Sequence, residues 1–100
     1  MIQVVTVTPK QIQVALSGDL CAEEAKALKN NLLGYIDSGH PFISIDFSKV
    51  DYIDGNGLGA LVFIHRQAMD KKGHLEIKGL QGNIKELFEL AQLNKVLAIK

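Results

Sequence analysis

Apolar residues recur at alternate positions over the first fifth of the chain. Ile2, Val4 or Val5 and Val7 precede Pro9-Lys10, and Ile12, Val14 and Leu16 follow it. Period two marks strands and the Pro-Lys pair marks a turn, so the pattern predicts a β-hairpin. From Cys21 the period lengthens. Ala25, Leu28, Leu32 and Tyr35 with Ile36 fall on one stripe of a helix, leaving Glu23, Glu24, Lys26 and Lys29 outside it. The two glutamates suit the positive end of the helix dipole, and Gly39 followed by Pro41 is a stop signal. Phe42-Ile43-Ser44-Ile45-Asp46-Phe47 is nearly continuous in apolar character, which predicts a central strand buried on both faces.

The Asp- and Gly-rich run from Ser48 to Gly57 predicts a loop. Leu58 to Lys72 predicts a second helix, apolar over more than half its circumference. Its Lys71-Lys72-Gly73 end brings cations to the negative dipole end and a glycine to the cap. His74 to Lys78 alternates as a fourth strand. Asn83 with Glu86 three residues later resembles a capping box opening a third helix, whose apolar stripe is Ile84, Leu87, Phe88 and Ala91. Val96 to Ile99 closes as a short last strand. The order β-β-α-β-α-β-α-β predicts an α/β fold: one mixed sheet of about five strands with right-handed crossovers and three main helices.

One hundred residues correspond to one domain, expected to span 1–100. With 47% hydrophobic and 22% charged residues the chain falls among ordinary globular proteins and outside the disordered ones. Eleven basic and eleven acidic side chains give a formal net charge of zero, which removes the footprint of a dedicated nucleic-acid or membrane-surface binder. Cys21 has no second cysteine to pair with, so the scaffold does not depend on an oxidising compartment. The longest apolar run, residues 60–64, is far short of a membrane span, and Met1-Ile2-Gln3-Val4 has no basic n-region. The expectation is a cytoplasmic protein without membrane insertion.

Gly55-Asn56-Gly57-Leu58-Gly59-Ala60 fits G-x-G-x-x-A, and Glu76 follows at roughly the spacing of about 20 residues that a dinucleotide fingerprint asks. Against it, about seven residues separate the predicted strand end at Phe47 from Gly55, where the fingerprint needs a tight turn. Glu76 also sits inside its strand, and too few βαβ units remain for a full dinucleotide domain. His40, His65 and His74 lack paired ligand spacing, and His65 among Leu61, Val62 and Met69 reads as a packed residue. Cys21 has no activating base beside it, although a helix start would lower its pKa somewhat. Asp51 and Asp54 read as turn and cap residues rather than metal ligands. What remains is the stretch from Asp54 to Gly59, whose backbone N–H groups open a helix beside an unusually apolar flank.

At this stretch the chain resembles a known family. Residues Phe47 to Leu61, with Ser48, Val50, Ile53, Asp54, Gly57, Leu58, Gly59 and Leu61, are similar to the STAS domain pattern D-x-S-x-V-x-x-I-D-S-S-G-L-G-x-L of bacterial anti-sigma factor antagonists and anion-transporter tails. Gly18-Asp19-Leu20 matches the family's G-x-L, Lys72-Gly73 its K-G turn, and the helix near Asn83 its last amphipathic helix. The resemblance implies a non-enzymatic regulatory module that binds a kinase-fold anti-sigma factor through this loop and the second helix, and is released when the first Ser or Thr after the signature Asp is phosphorylated. Here Gly55 stands at that position, Asn56 at the next, and Cys21 where the family often has Asp. No phosphorylation is expected there.

The resemblance thus implies a partner-binding set of Asp19, Cys21, Asp54, Gly55, Asn56, Gly57, Leu58 and Leu61. Asp54 anchors the loop, Gly55 to Gly57 form the contact surface, and Leu58 and Leu61 pack the helix. No catalytic residue, metal or cofactor is expected. The partner is a protein and not a nucleic acid, and the oligomeric state stays open. Two alternatives stand beside this reading: a STAS subunit of a stress-signalling scaffold or transporter-associated complex, and a small nucleotide-binding enzyme.

Overall fold

The computed structural model describes residues 2–100; Met1, and the side chain of Ile2 in the period-two run, lie outside what it describes. The predicted hairpin forms from β1 (Ile2–Val7) and β2 (Ile12–Leu20), paired antiparallel in unbroken register from Ile2 opposite Ser17 to Val7 opposite Ile12. Thr8 fixes its turn: the hydroxyl accepts from the Gln11 amide at 3.0 Å and donates to the Gln11 carbonyl at 2.8 Å. There follow α1 (Ala22–Asp37), β3 (Phe42–Ile53), α2 (Gly55–Asp70), β4 (His74–Lys78), α3 (Gly82–Leu90), one 3-10 turn (Leu93–Lys95) and β5 (Ala98–Ile99). The five strands lie in chain order in one sheet, parallel from β2 to β5.

Each parallel connection steps one strand onward in the same direction, so right-handed crossovers carry the helices to one face of the sheet. The core lies there. Ile12, Ile43 and Leu75 form one row across β2, β3 and β4, and Val14, Ile45 and Ile77 form the next, all at most 2% exposed. Ala25, Leu28, Leu32 and Ile36 of α1, on the stripe their spacing predicts, and Ala60, Leu61, Ile64 and Ala68 of α2 close over them. Phe47 meets Phe88 of α3 edge to face, ring centroids 5.7 Å apart. Among the described residues no helix is long and apolar enough to cross a membrane.

Several details depart from the sequence reading, among them the last strand, which is Ala98–Ile99 and not Val96–Ile99. The central strand is not apolar on both faces: its second face carries exposed Phe42, buried Ser44 and half-buried Asp46, because no helix covers that side. The run from Ser48 to Ile53 is strand rather than loop, and α2 opens at Gly55 instead of Leu58. The end of α2 is a Schellman turn whose left-handed residue is Lys72, at φ +64°, with Gly73 donating to the Ala68 carbonyl at 2.8 Å. Gly73 is needed for another reason: a Cβ there would strike the carbonyl of Pro41. Asn83 opens no capping box, because Gly82, at φ +59°, already turns the chain into α3 behind Gln81, whose side chain donates to the Ser48 carbonyl at 3.2 Å and caps no amide of the helix.

With so weak a start, α3 is held mainly by its two buried side chains, Ile84 and Phe88. Replacing Phe88 by Ala should cost about 3–5 kcal/mol, the usual loss for a fully buried aromatic. Urea unfolding of the variant against the parent measures it; a midpoint within error of the parent would show that α3 contributes nothing to the cooperative core.

Candidate functional site

Strands β2 and β3 end side by side, with Leu20 opposite Ile53, and each passes into a helix after a single residue. Cys21 is that residue for α1 and Asp54 for α2, both with extended backbone. The Asp54 amide donates to the Leu20 carbonyl at 3.4 Å, tying the two junctions together. Two helix N-termini therefore open next to each other on one end of the sheet, at the carboxyl ends of its parallel strands.

Asp54 is built as an N-cap. One carboxylate oxygen accepts from the Gly57 amide at 3.1 Å and the other from the Asn56 side chain at 3.3 Å. These bonds, the Gly57 amide foremost, hold its carboxyl below the usual carboxylate range. Gly57 sits in the first turn with no room for a side chain: a Cβ would lie 2.5 Å from the Leu20 carbonyl oxygen and 2.6 Å from Ile53 Cγ1. Cys21 caps nothing; its thiol faces Asp54 instead of its own helix. Burial, then Asp54, Asp19 and Glu24, push that thiol up, which reverses the lowering expected from the helix start and keeps the sulfur protonated at neutral pH.

The expected site residues divide by burial. Gly55, Asn56 and Asp19 are exposed, Asp54, Cys21 and Leu58 half-buried. Gly57 is buried and Leu61 fully so, which gives neither a surface to offer; both pack the first turns of α2 onto the sheet. Asp51 points away as an exposed residue of β3, and the described residues contain no group of three or more His, Cys, Asp or Glu that could hold a metal. His65 is half-buried with a buried, unpartnered Nδ1, and burial holds it below its usual range, as befits a packed residue.

The dinucleotide pattern needs a different refutation from the one its spacing suggested. Strand β3 runs to Ile53, so the turn before Gly55 is as tight as that fingerprint requires. What excludes a pyrophosphate is Gly57, whose open side is filled by the protein's own Leu20 and Ile53. Glu76 stays inside β4, on the face away from the helices.

Sequence periodicity missed one feature. Between the first turns of α1 and α2 runs a groove of about 480 Å³, lined by Ala22, Lys26, Lys29, Gly55, Gly59 and Phe63 among others. The Lys29 ammonium stands 5.0 Å from the centre of the Phe63 ring. Lys26 and Lys29 read as an ordinary solvated face along α1, and only the packing of α1 on α2 brings them opposite Gly55 and Gly59.

A family model described as "Mlab, STAS domain" matches residues 4–98. The anti-sigma-B factor antagonist of Listeria monocytogenes is 28% identical over 89 residues, 89% of this chain and 78% of that protein. The crystal structure of TM1081 from Thermotoga maritima superposes with a TM-score of 0.91 at 18% identity, covering 97% of this chain and 84% of that one. The phosphorylated form of the Bacillus cell fate determinant SpoIIAA superposes with a TM-score of 0.80 at 16% identity, covering 99% of this chain and 91% of that one.

Two changes test the junction. Gly57→Ala should destabilise by about 1–3 kcal/mol, the range for forcing atoms into a packed site, read as a lowered urea midpoint. Asp54 titrates below the ordinary carboxylate value of about 3.9 in the folded chain, so its charge stabilises the fold above that value and ceases to as pH falls through the folded value. The stability gap between the parent and Asp54→Asn should accordingly be constant from neutral pH down to about 5 and close in more acid solution. A gap that widens in acid would show that the carboxylate is not the group the cap relies on.

Proposed function

The chain belongs to the STAS domain family, and from that premise we propose that it is a regulatory interaction module that binds a kinase-fold anti-sigma factor through the start of α2. The observation that carries the reading is the exposed turn Gly55-Asn56, presented rigidly between a capping carboxylate and a buried glycine. A contact surface fixed in this way loses little freedom on binding. Its listerial relative is an anti-sigma-B factor antagonist, which supports an anti-sigma factor as the partner. Nothing at the junction favours chemistry: the thiol is held protonated, and the remaining groups are a capping carboxylate, an amide and glycines.

The module works without the family's phosphate switch. From Tyr52 to Ala60 the chain has no Ser or Thr, and Tyr52 is its only hydroxyl. SpoIIAA, of the same fold, has been solved both unphosphorylated and phosphorylated; the position that the resemblance assigns to the acceptor is here Gly55, the first residue of α2. A phosphoryl group would bring about −1.5 to −2 charges into the contact. With no acceptor, binding is governed by concentration and by the state of the partner. The same absence supports a second reading, in which the domain is a permanent subunit of a larger assembly.

Asn56→Lys should weaken the complex with a kinase-fold partner while leaving the circular dichroism spectrum unchanged, since Asn56 is exposed. Undiminished retention of the partner by that variant would move the interface elsewhere. Incubation with the partner and ATP should leave the intact mass unaltered, whereas a gain of about 80 Da within residues 48–60 would restore the switch. Gly55→Ser has open space for its side chain and should become labelled if the kinase recognises the rest of the turn.

A further inference from the structure

The groove between α1 and α2 has features that the chain's own folding does not require. Gly59 lies inside α2 with ordinary helical φ, and a Cβ there would meet nothing within 4 Å; the same holds for Gly55. A glycine inside a helix costs about 1 kcal/mol relative to alanine. At Gly57 the close approach of Leu20 accounts for that cost. At Gly59 nothing in the chain does. The residues lining the groove include Lys26 and Lys29 and no Asp or Glu, and the first residues of both helices, Ala22 and Gly55, open into it with their dipoles' positive ends. Lys29, over the ring of Phe63, marks one place along it.

We infer that this groove receives an acidic helical segment of the protein partner, its backbone passing close over Gly55 and Gly59 and its carboxylates meeting Lys26 and Lys29. The inference rests on the reading that the partner docks at the start of α2, and specifies what it brings there. Small residues on one wall let a second helix approach closely, as side chains beyond a methyl would not. Two cations with no neighbouring anion in the groove select the sign of the incoming charge. An acidic helix satisfies both; a basic one is repelled, and a bulky apolar one leaves both ammonium groups facing hydrocarbon.

The probe is a short helical peptide built from Glu, Ala and Leu, titrated into the isotope-labelled full chain and followed by amide chemical shifts. Saturable shifts confined to residues of the groove, such as Ala22, Lys26, Gly59 and Phe63, are expected, fading as salt is raised. The counterpart with Lys in place of Glu should not bind. Lys26→Glu with Lys29→Glu should weaken the acidic peptide on the order of tenfold or more, since two partly exposed attractions become repulsions. Gly59→Leu should raise the urea midpoint of the free chain and abolish binding, a pairing that loss of fold cannot mimic. Equal binding of the basic peptide, absence of saturable shifts with the acidic one, or shifts at the groove with inorganic phosphate or ATP alone would each overturn the inference. Should a kinase-fold partner be retained, lost on Asn56→Lys and indifferent to the lysine reversals, the inference falls while the proposed function stands. Should the acidic peptide occupy the groove while kinase-fold proteins are not retained, the partner class falls and the groove stands.

Discussion

The first turn of α2 rests directly on the end of β2, and it does so because Gly57 has no side chain. Its α-carbon faces the Leu20 carbonyl oxygen and the Ile53 side chain at distances where even a methyl group would collide. From that contact the rest of the arrangement follows. Leu61 and Ile64 come down on the sheet fully buried, one and two turns further along. Asp54, immediately before the helix, is placed to cap the Gly57 amide. The Asp54 amide in turn reaches the same Leu20 carbonyl, so α1 and α2 start side by side. Any larger residue at 57 would lift α2 from the sheet and take the turn at Gly55-Asn56 with it.

The order of elements along the chain and the stripe of α1 were legible because they rest on periods that local sequence carries. Ala25, Leu28, Leu32 and Ile36 are the buried residues of α1, the very stripe their spacing marks. The second half of β3 was not legible, for a definite reason. Between Ala15 and Ser17, and again between Gly18 and Asp19, β3 spends one more residue than β2. Each such bulge resets the alternation, so the inward residues are Phe47, Val50 and Ile53, three apart, and no period-two pattern survives. With Asp46, Asp51 and Asp54 in the same stretch, a strand acquires the composition of a loop.

The site was half legible by the same standard. Asp54 followed by glycines at a helix start is a local signal, and the cap it predicts is present. What sequence could not separate was the use of each glycine. Gly55, Gly57 and Gly59 look alike in a motif, yet one is enclosed by the fold and the other two border open space. Only the position of Leu20, distant in sequence, makes the difference. Gly57 is required by a contact internal to the domain, so its presence says nothing about a nucleotide.

Net charge misleads in a comparable way. A sum of zero argues against the net positive field of a dedicated nucleic-acid binder. It is blind to how charges are sorted over distances near the screening length of about 8–10 Å. Around the two helix starts they are sorted. Asp54, Asp19 and Glu24 gather about the Cys21 thiol and add to the burial that pushes it up, while Lys26 and Lys29, one and two turns into α1, are the charged residues of the groove. On α1, Glu24 lies near Cys21 while Lys26 and Lys29 line the groove. A partner lying across the two junctions would therefore read a charge pattern and not a charge total, and the glycines of α2 set how closely its backbone can come while doing so.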